Sequence, residues 1–136
     1  MRHDGFVITR EVPGFIYHIA TASDWAQARA AGEYTTSTLG RTLAEEGFIH
    51  CSAAGQVAGV ANMFYQGLPD LLVLAIDTGR VRPEIRLEQV AGSAEPFPHI
   101  YGPLNLDAVV EARRFEPGPD GRFAFPAGVR PGGGLT

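Results

Sequence analysis

The chain has 136 residues, 45% of them hydrophobic and 19% charged, and carries a formal net charge of −4. That length predicts one domain, and the acidic balance works against a nucleic-acid backbone as partner, although Arg80, Arg82 and Arg86 form a local basic patch. A single cysteine, Cys51, cannot make a disulfide within the chain; no apolar run exceeds Leu71–Ile76, so no membrane span is expected; and no basic segment leading into an apolar run opens the sequence, so a cytoplasmic location is expected.

In chain order, a short strand is expected at Phe6-Val7-Ile8 within an N-terminal extension, 1–14, that ends at Pro13-Gly14. Phe15 to Ala20 is rich in β-formers and reads as a strand. Thr21 or Ser23 can cap a helix running through Trp25 to Ala31, which Gly32 ends through a left-handed cap. Tyr34-Thr35-Thr36 is extended. Thr42-Leu43-Ala44-Glu45 has capping-box spacing and predicts one helical turn stopped by Gly47. Phe48 to Cys51 is a second strand. Ser52 can cap a helix over Ala53 to Tyr65, whose Val57, Val60, Ala61 and Phe64 make a buried stripe. After a turn at Gly67 to Asp70, Leu71 to Ile76 is apolar on both faces and predicts a central strand. Ile85 to Val90 alternates as a strand, His99-Ile100-Tyr101 is short and extended, Leu104 to Ala108 holds one turn, Val109 to Phe115 is a late strand and Phe123 to Phe125 an edge piece. A flexible Pro/Gly-rich tail is expected over 126–136. The pattern is α+β within a single domain, 15–125: a mixed, mostly antiparallel sheet with two main helices. No Gly-rich phosphate loop is present, which argues against a Rossmann or P-loop protein.

Three of the four histidines sit at or near the ends of apolar runs, in Ile16-Tyr17-His18-Ile19, Phe48-Ile49-His50-Cys51-Ser52 and Phe97-Pro98-His99-Ile100-Tyr101. Imidazole changes charge near neutral pH and suits acid–base work. Alternation puts Ile16, His18 and Ala20 on one strand face, so His18 can bind a ligand with Thr21 at the mouth of the next helix; the plainer reading is a half-buried histidine bonded to backbone, with Thr21 an ordinary cap. Phe48, His50 and Ser52 share a face opposite Ile49 and Cys51. Cys51 is therefore poorly placed against His50 and reads as a small buried hydrophobe, while His50 with Ser52 is the better functional pair. The segment from Glu95 to Asn105 is held by three prolines and a glycine and offers His99, Tyr101 and Asn105 as a rigid wall. Arg41 could meet an anionic group, against the plainer reading of a solvated arginine. Three imidazoles could also hold zinc, but no His-x-His or His-x-x-x-His spacing occurs and no carboxylate is adjacent in sequence, so a metal is not favoured.

These motifs, with Leu-Val-Leu-Ala-Ile-Asp at the central strand, resemble the bacterial domain-of-unknown-function family 952 over roughly Phe15 to Phe123. The glutathione transferase label that some members carry finds no thioredoxin-like βαβ unit here. The family is in turn distantly similar to the ADP-ribosyltransferase-like fold. That resemblance implies that His18, in Tyr17-His18-Ile19-Ala20-Thr21, faces an NAD ribose, that Ser52 supplies the hydroxyl residue of a second motif, and that His99 and Tyr101 stand where a catalytic glutamate is usual; no such glutamate is evident. The expected protein binds a nucleotide-like or phosphorylated, ribose-containing small molecule, with NAD or another nucleotide as cofactor. His50 and His99 are the candidate acid and base, and His18, Thr21, Arg41, Ser52, Tyr101 and Asn105 the ligand contacts. Transferase or glycohydrolase chemistry, a non-catalytic binding module of the same fold, and a metal-dependent hydrolase are the alternatives.

Overall fold

The structure, a computed structural model, describes residues 12–129, so the expected strand at Phe6-Val7-Ile8 lies outside the described residues. Strand β1 (Phe15–Thr21) leads directly into helix α1 (Ala22–Ala31). Thr21 Oγ1 accepts the Asp24 N–H at 3.1 Å, and Gly32, at φ +92°, closes the other end. Short strands β2 (Glu33–Tyr34), β3 (Thr36–Thr38) and β4 (Arg41–Thr42) follow. Thr42 and Glu45 form a reciprocal capping box on the one-turn helix α2 (Leu43–Glu46), which ends at the left-handed Gly47. Next come β5 (Ile49–His50), α3 (Ala54–Phe64), β6 (Leu71–Asp77), β7 (Glu84–Glu88), β8 (Phe97–Tyr101), β9 (Leu104–Asn105) and β10 (Val109–Phe115).

All described pairings are antiparallel, and they make several small sheets rather than one mixed sheet. The main sheet has the order β1-β6-β10, with β6 central as its two-sided apolar sequence requires. On one face Tyr17, Ile19, Leu71, Val73 and Phe115 pack against Val57 and Ala61 of α3. On the other, Ile16, Leu74 and Ile76 pack against Ala28 of α1, Tyr34, and the second three-stranded sheet, β5-β8-β7. Among the described residues no helix is long and apolar enough to cross a membrane.

The second sheet positions the site because its two faces differ. Ile49 and Ile100 are fully buried and join the core, as does Cys51. The alternate residues Phe48, His50, Phe97, His99, Tyr101, Arg86 and Glu88 occupy the other face, with His50 directly opposite His99 and Arg86 opposite His99 from the other side. An antiparallel isolated bridge joins the main sheet to the strand end after β5: Tyr17 N–H donates to Ser52 O at 2.8 Å and Ser52 N–H to Tyr17 O at 2.7 Å.

Four local expectations are corrected. Phe64, expected in the buried stripe of α3, is exposed because the stripe that meets the main sheet is Val57 and Ala61. Ser52 does not cap α3; its backbone is committed to the bridge, the N-cap is Ala53, and Gln56 reaches back to the Ala53 N–H at 2.8 Å. Phe123 to Phe125 pairs with no strand among the described residues. Phe123 is instead held by side-chain burial against Phe115 and by Asn62, which accepts its N–H and donates to its carbonyl. The segment expected as a tail opens with a packed turn: Val129 is buried, and its N–H meets Pro126 O.

The turn after β8 gives a direct test of this packing. A Cβ on Gly102, at φ +157°, would lie 3.0 and 3.2 Å from ring carbons of Pro83. The pyrrolidine ring cannot swing aside, so Gly102→Ala is expected to cost about 1–2 kcal/mol in urea unfolding, whereas Ala at the unobstructed Gly55 or Gly59 of α3 costs nothing or stabilises.

Candidate functional site

A cleft of about 500 Å³ opens between the polar face of the second sheet and α3. Its walls are apolar: Ile19, Val60, Phe64, Tyr65, Val90 and Phe97. Its floor holds His50, Ser52 and His99, with His18 beneath. Leu39, Phe64 and Val90 line it and also stand exposed.

His99 is buried and stacks on Phe48, with ring centroids 4.1 Å apart and planes 17° from parallel. Its Nδ1 lies 2.7 Å from Glu88 Oε1. A carboxylate only accepts, so Nδ1 carries the proton and Nε2 is left as a lone pair with no partner among the described residues. Tyr101 O–H donates to the same Glu88 oxygen at 2.6 Å, and Arg86 lies 4.1 Å over the Tyr101 ring. Burial lowers the His99 pKa against the opposing pull of Glu88. Burial and the Glu88 bond push the Tyr101 phenol up to about 12. Tyr101 therefore stays protonated and shares Glu88 Oε1 with His99; it is not among the residues that line the cleft.

His50 is half-exposed. Its ring lies 5.4 Å from that of His99, at 67°, and its Nε2 is 3.4 Å from Glu46 Oε1. Arg41 holds the other Glu46 oxygen at 2.8 Å. Arg41 thus reaches the site only through Glu46 and borders no part of the cleft.

The remaining candidates are occupied with structure. His18 is buried, and both ring nitrogens are engaged: Nδ1 lies 2.6 Å from His50 O, and Nε2 lies 2.8 Å from Tyr34 Oη. The carbonyl requires a donor, so the proton is on Nδ1 and Tyr34 O–H donates to Nε2. Burial lowers the His18 pKa to about 4. Neither nitrogen is left for a ribose, so His18 borders the same cleft as His50 and His99 with its polar atoms already engaged. Among the described residues no group of three His, Cys, Asp or Glu side chains could hold a metal ion. Thr21 is the α1 cap and not a cleft residue. Asn105 braces loops: it accepts the Arg82 N–H at 2.9 Å and donates to Arg80 O and Asp107 Oδ1. Cys51 faces the core, and burial pushes its thiol pKa up, which keeps it an unreactive thiol. Ser52 is buried and lines the cleft, and its hydroxyl has no hydrogen-bond partner among the described residues.

The pattern of the family described as "Protein of unknown function (DUF952)" matches residues 19–112, more than two thirds of the chain. The chain belongs to that family. Its fold is similar to the X-ray structure of protein CC0527 from Caulobacter crescentus, 28% identical, with a TM-score of 0.70 over 80% of this chain and 92% of that one. The solution NMR structure of CC0527 has a TM-score of 0.61 at 27% identity, over 80% of this chain and 90% of that one. No curated protein matches the chain.

Within the DUF952 segment lie His50, Ser52, Glu88, His99 and Tyr101; His18 falls just before it. Glu88 is the site residue that sequence reasoning missed. In the strand alternation Glu84, Arg86 and Glu88 are three polar residues on one face, and nothing local distinguishes the last of them. Its meaning comes from the pairing of β7 with β8, which sets Glu88 opposite Phe97 and diagonal to His99.

Proposed function

We propose that this DUF952 protein binds a small molecule with an apolar or aromatic body and one polar end, and that His99 and His50 act on that end as base and acid. The observation that carries the reading is the division of the cleft: apolar walls around a floor where His99 Nε2 and the Ser52 hydroxyl have no protein partner among the described residues. Buried polar atoms are normally satisfied, and sites of this size and lining typically take one small ligand oriented by a few polar groups.

Within the nucleotide-like class that the sequence suggests, this division favours a nucleoside over a phosphorylated ligand. A flat base suits the walls at Phe64, Tyr65 and Phe97, and hydroxyls suit the floor. Among the described residues no arginine borders the cleft; Arg41 is engaged by Glu46, and Arg86 by Glu84 and Tyr101. The ADP-ribosyltransferase-like architecture, with its transferase or glycohydrolase chemistry, is supported by the strand–hydroxyl–helix order at Ser52 and by a glutamate, Glu88, beside the third motif; the engaged His18 counts against its NAD role.

Thermal-shift and saturation-transfer measurements with adenosine, AMP and NAD test this reading. Adenosine is expected to stabilise the protein more than AMP or NAD does, by mass action. Val60→Trp, which fills the cleft from α3, should abolish the shift while leaving the fold intact. Equal or stronger binding of AMP would overturn the nucleoside preference, and binding unaffected by Val60→Trp would place the ligand elsewhere.

A further inference from the structure

Resting on that reading of the cleft, we propose that Ser52, His99 and Glu88 form a nucleophile, base and orienting carboxylate that cleave esters of small apolar acids. Such a set needs three things: a hydroxyl in the cleft, an imidazole whose free nitrogen faces the same space, and an acceptor that fixes the other nitrogen.

The orienting carboxylate is built, and His99 lines the cleft with its Nε2 unpartnered among the described residues. Glu88 holds the His99 Nδ1 proton at 2.7 Å, and Tyr101 donates to the same oxygen at 2.6 Å, so the carboxylate is itself held in place. Phe48 stacked on the imidazole keeps its plane fixed. The hydroxyl is present too. Ser52 lines the same cleft, is buried, and has an unpartnered Oγ among the described residues. Register brings the two together. His50 pairs with His99 and the Cys51 N–H donates to Pro98 O, so carrying that register on sets Ser52 opposite Phe97 and diagonal to His99. Diagonal neighbours of this kind have Cβ atoms about 7 Å apart, within reach of a long side chain. The Oγ–Nε2 hydrogen bond is not made in this structure, and such bonds are commonly long before substrate tightens them. His50 is the weaker base candidate because its carboxylate contact is longer, at 3.4 Å, and it is half-exposed.

In the first step Ser52 Oγ bonds to the ester carbonyl carbon while its proton passes to His99 Nε2. The tetrahedral adduct then expels the alcohol oxygen, which takes that proton, leaving acyl-Ser52. In the second step His99 accepts a proton from water as the water oxygen bonds to the acyl carbon. Collapse releases the carboxylic acid and returns the proton to Ser52 Oγ. Ester and water go in, acid and alcohol come out, and no oxidant or metal enters the balance. The apolar walls take the acyl group.

The test uses the full chain with an ethyl fluorophosphonate probe, read by intact mass and peptide mapping, and then 4-nitrophenyl butyrate turnover. One adduct on Ser52 is expected, absent in Ser52→Ala. His99→Gln should slow labelling by about 100-fold or more. Glu88→Gln should slow it and move the acid limb of its pH profile to lower pH, because the carboxylate that raises His99 is gone; a merely structural loss would not move the limb. No adduct on Ser52, or labelling indifferent to His99 but lost in His50→Gln, overturns the assignment. A protein that still binds adenosine but takes no adduct keeps the cleft and loses this step; a protein that does neither loses both.

Discussion

Lowering the pH from 7 to 4 is expected to remove about 3 kcal/mol of stability through His18 alone. The folded protein holds this imidazole neutral because it is buried, with its proton committed to His50 O and its lone pair to Tyr34. Its pKa is about 4 when folded and about 6.5 when unfolded. Between those values the unfolded chain binds the proton and the folded chain does not, so stability rises with pH through that window and is flat on either side of it. His99, also lowered by burial, acts in the same sense. Carboxylates held low, such as Glu45 against the Thr42 N–H, act in the same sense only as pH falls below their unfolded value, so they overlap the acid edge of the window and leave its upper part to histidine. Urea unfolding at half-unit pH steps measures the slope. His18→Gln should flatten most of it while lowering stability at pH 7 by about 1–3 kcal/mol, since Tyr34 and the His50 carbonyl lose a matched partner. A variant that keeps the wild-type slope would show that another group sets it.

Phe48→Ala is expected to raise the His99 pKa and to cost about 2 kcal/mol. Phe48 stacks on His99 and lies 4.7 Å from His50 and 5.3 Å from Tyr101 by ring centroids, so one side chain covers three polar rings. Removing it admits water to an imidazole whose downward shift comes first from burial, while Glu88 still pulls upward. The imidazole resonances of His99, followed by NMR across pH 4 to 8, should titrate at higher pH in Phe48→Ala and stay near wild type in Phe48→Leu, which keeps apolar cover. An unmoved His99 titration in Phe48→Ala would mean that the stack does not govern its hydration.

The parts of the fold legible in sequence were those with local causes. The Thr21 and Thr42 caps and the Gly32 and Gly47 stops need only residues within a turn of one another. Strand β6 announced itself because both its faces are apolar. What could not be read depended on pairings between distant segments. Ser52 has the composition of a cap, yet its backbone goes to Tyr17. His18 has the look of a ligand group, yet Tyr34, sixteen residues on, saturates it. Glu88 is anonymous until β8 lies beside it. All three histidines that drew attention border one cleft, but His18 does so with both ring nitrogens tied into the frame.

That frame has a kinetic consequence. The main sheet and the strand carrying His50 are joined by the paired Tyr17 and Ser52 backbone bonds and by the His18 bond to His50 O. A joint with one side chain and two amides on it, all buried, is not a hinge. The cleft floor should therefore not open by itself: the Tyr17 and Ser52 amides are expected to exchange with deuterium as slowly as those of the central strand β6, and a ligand must enter past the exposed Leu39, Phe64 and Val90 rim rather than by prying the sheets apart.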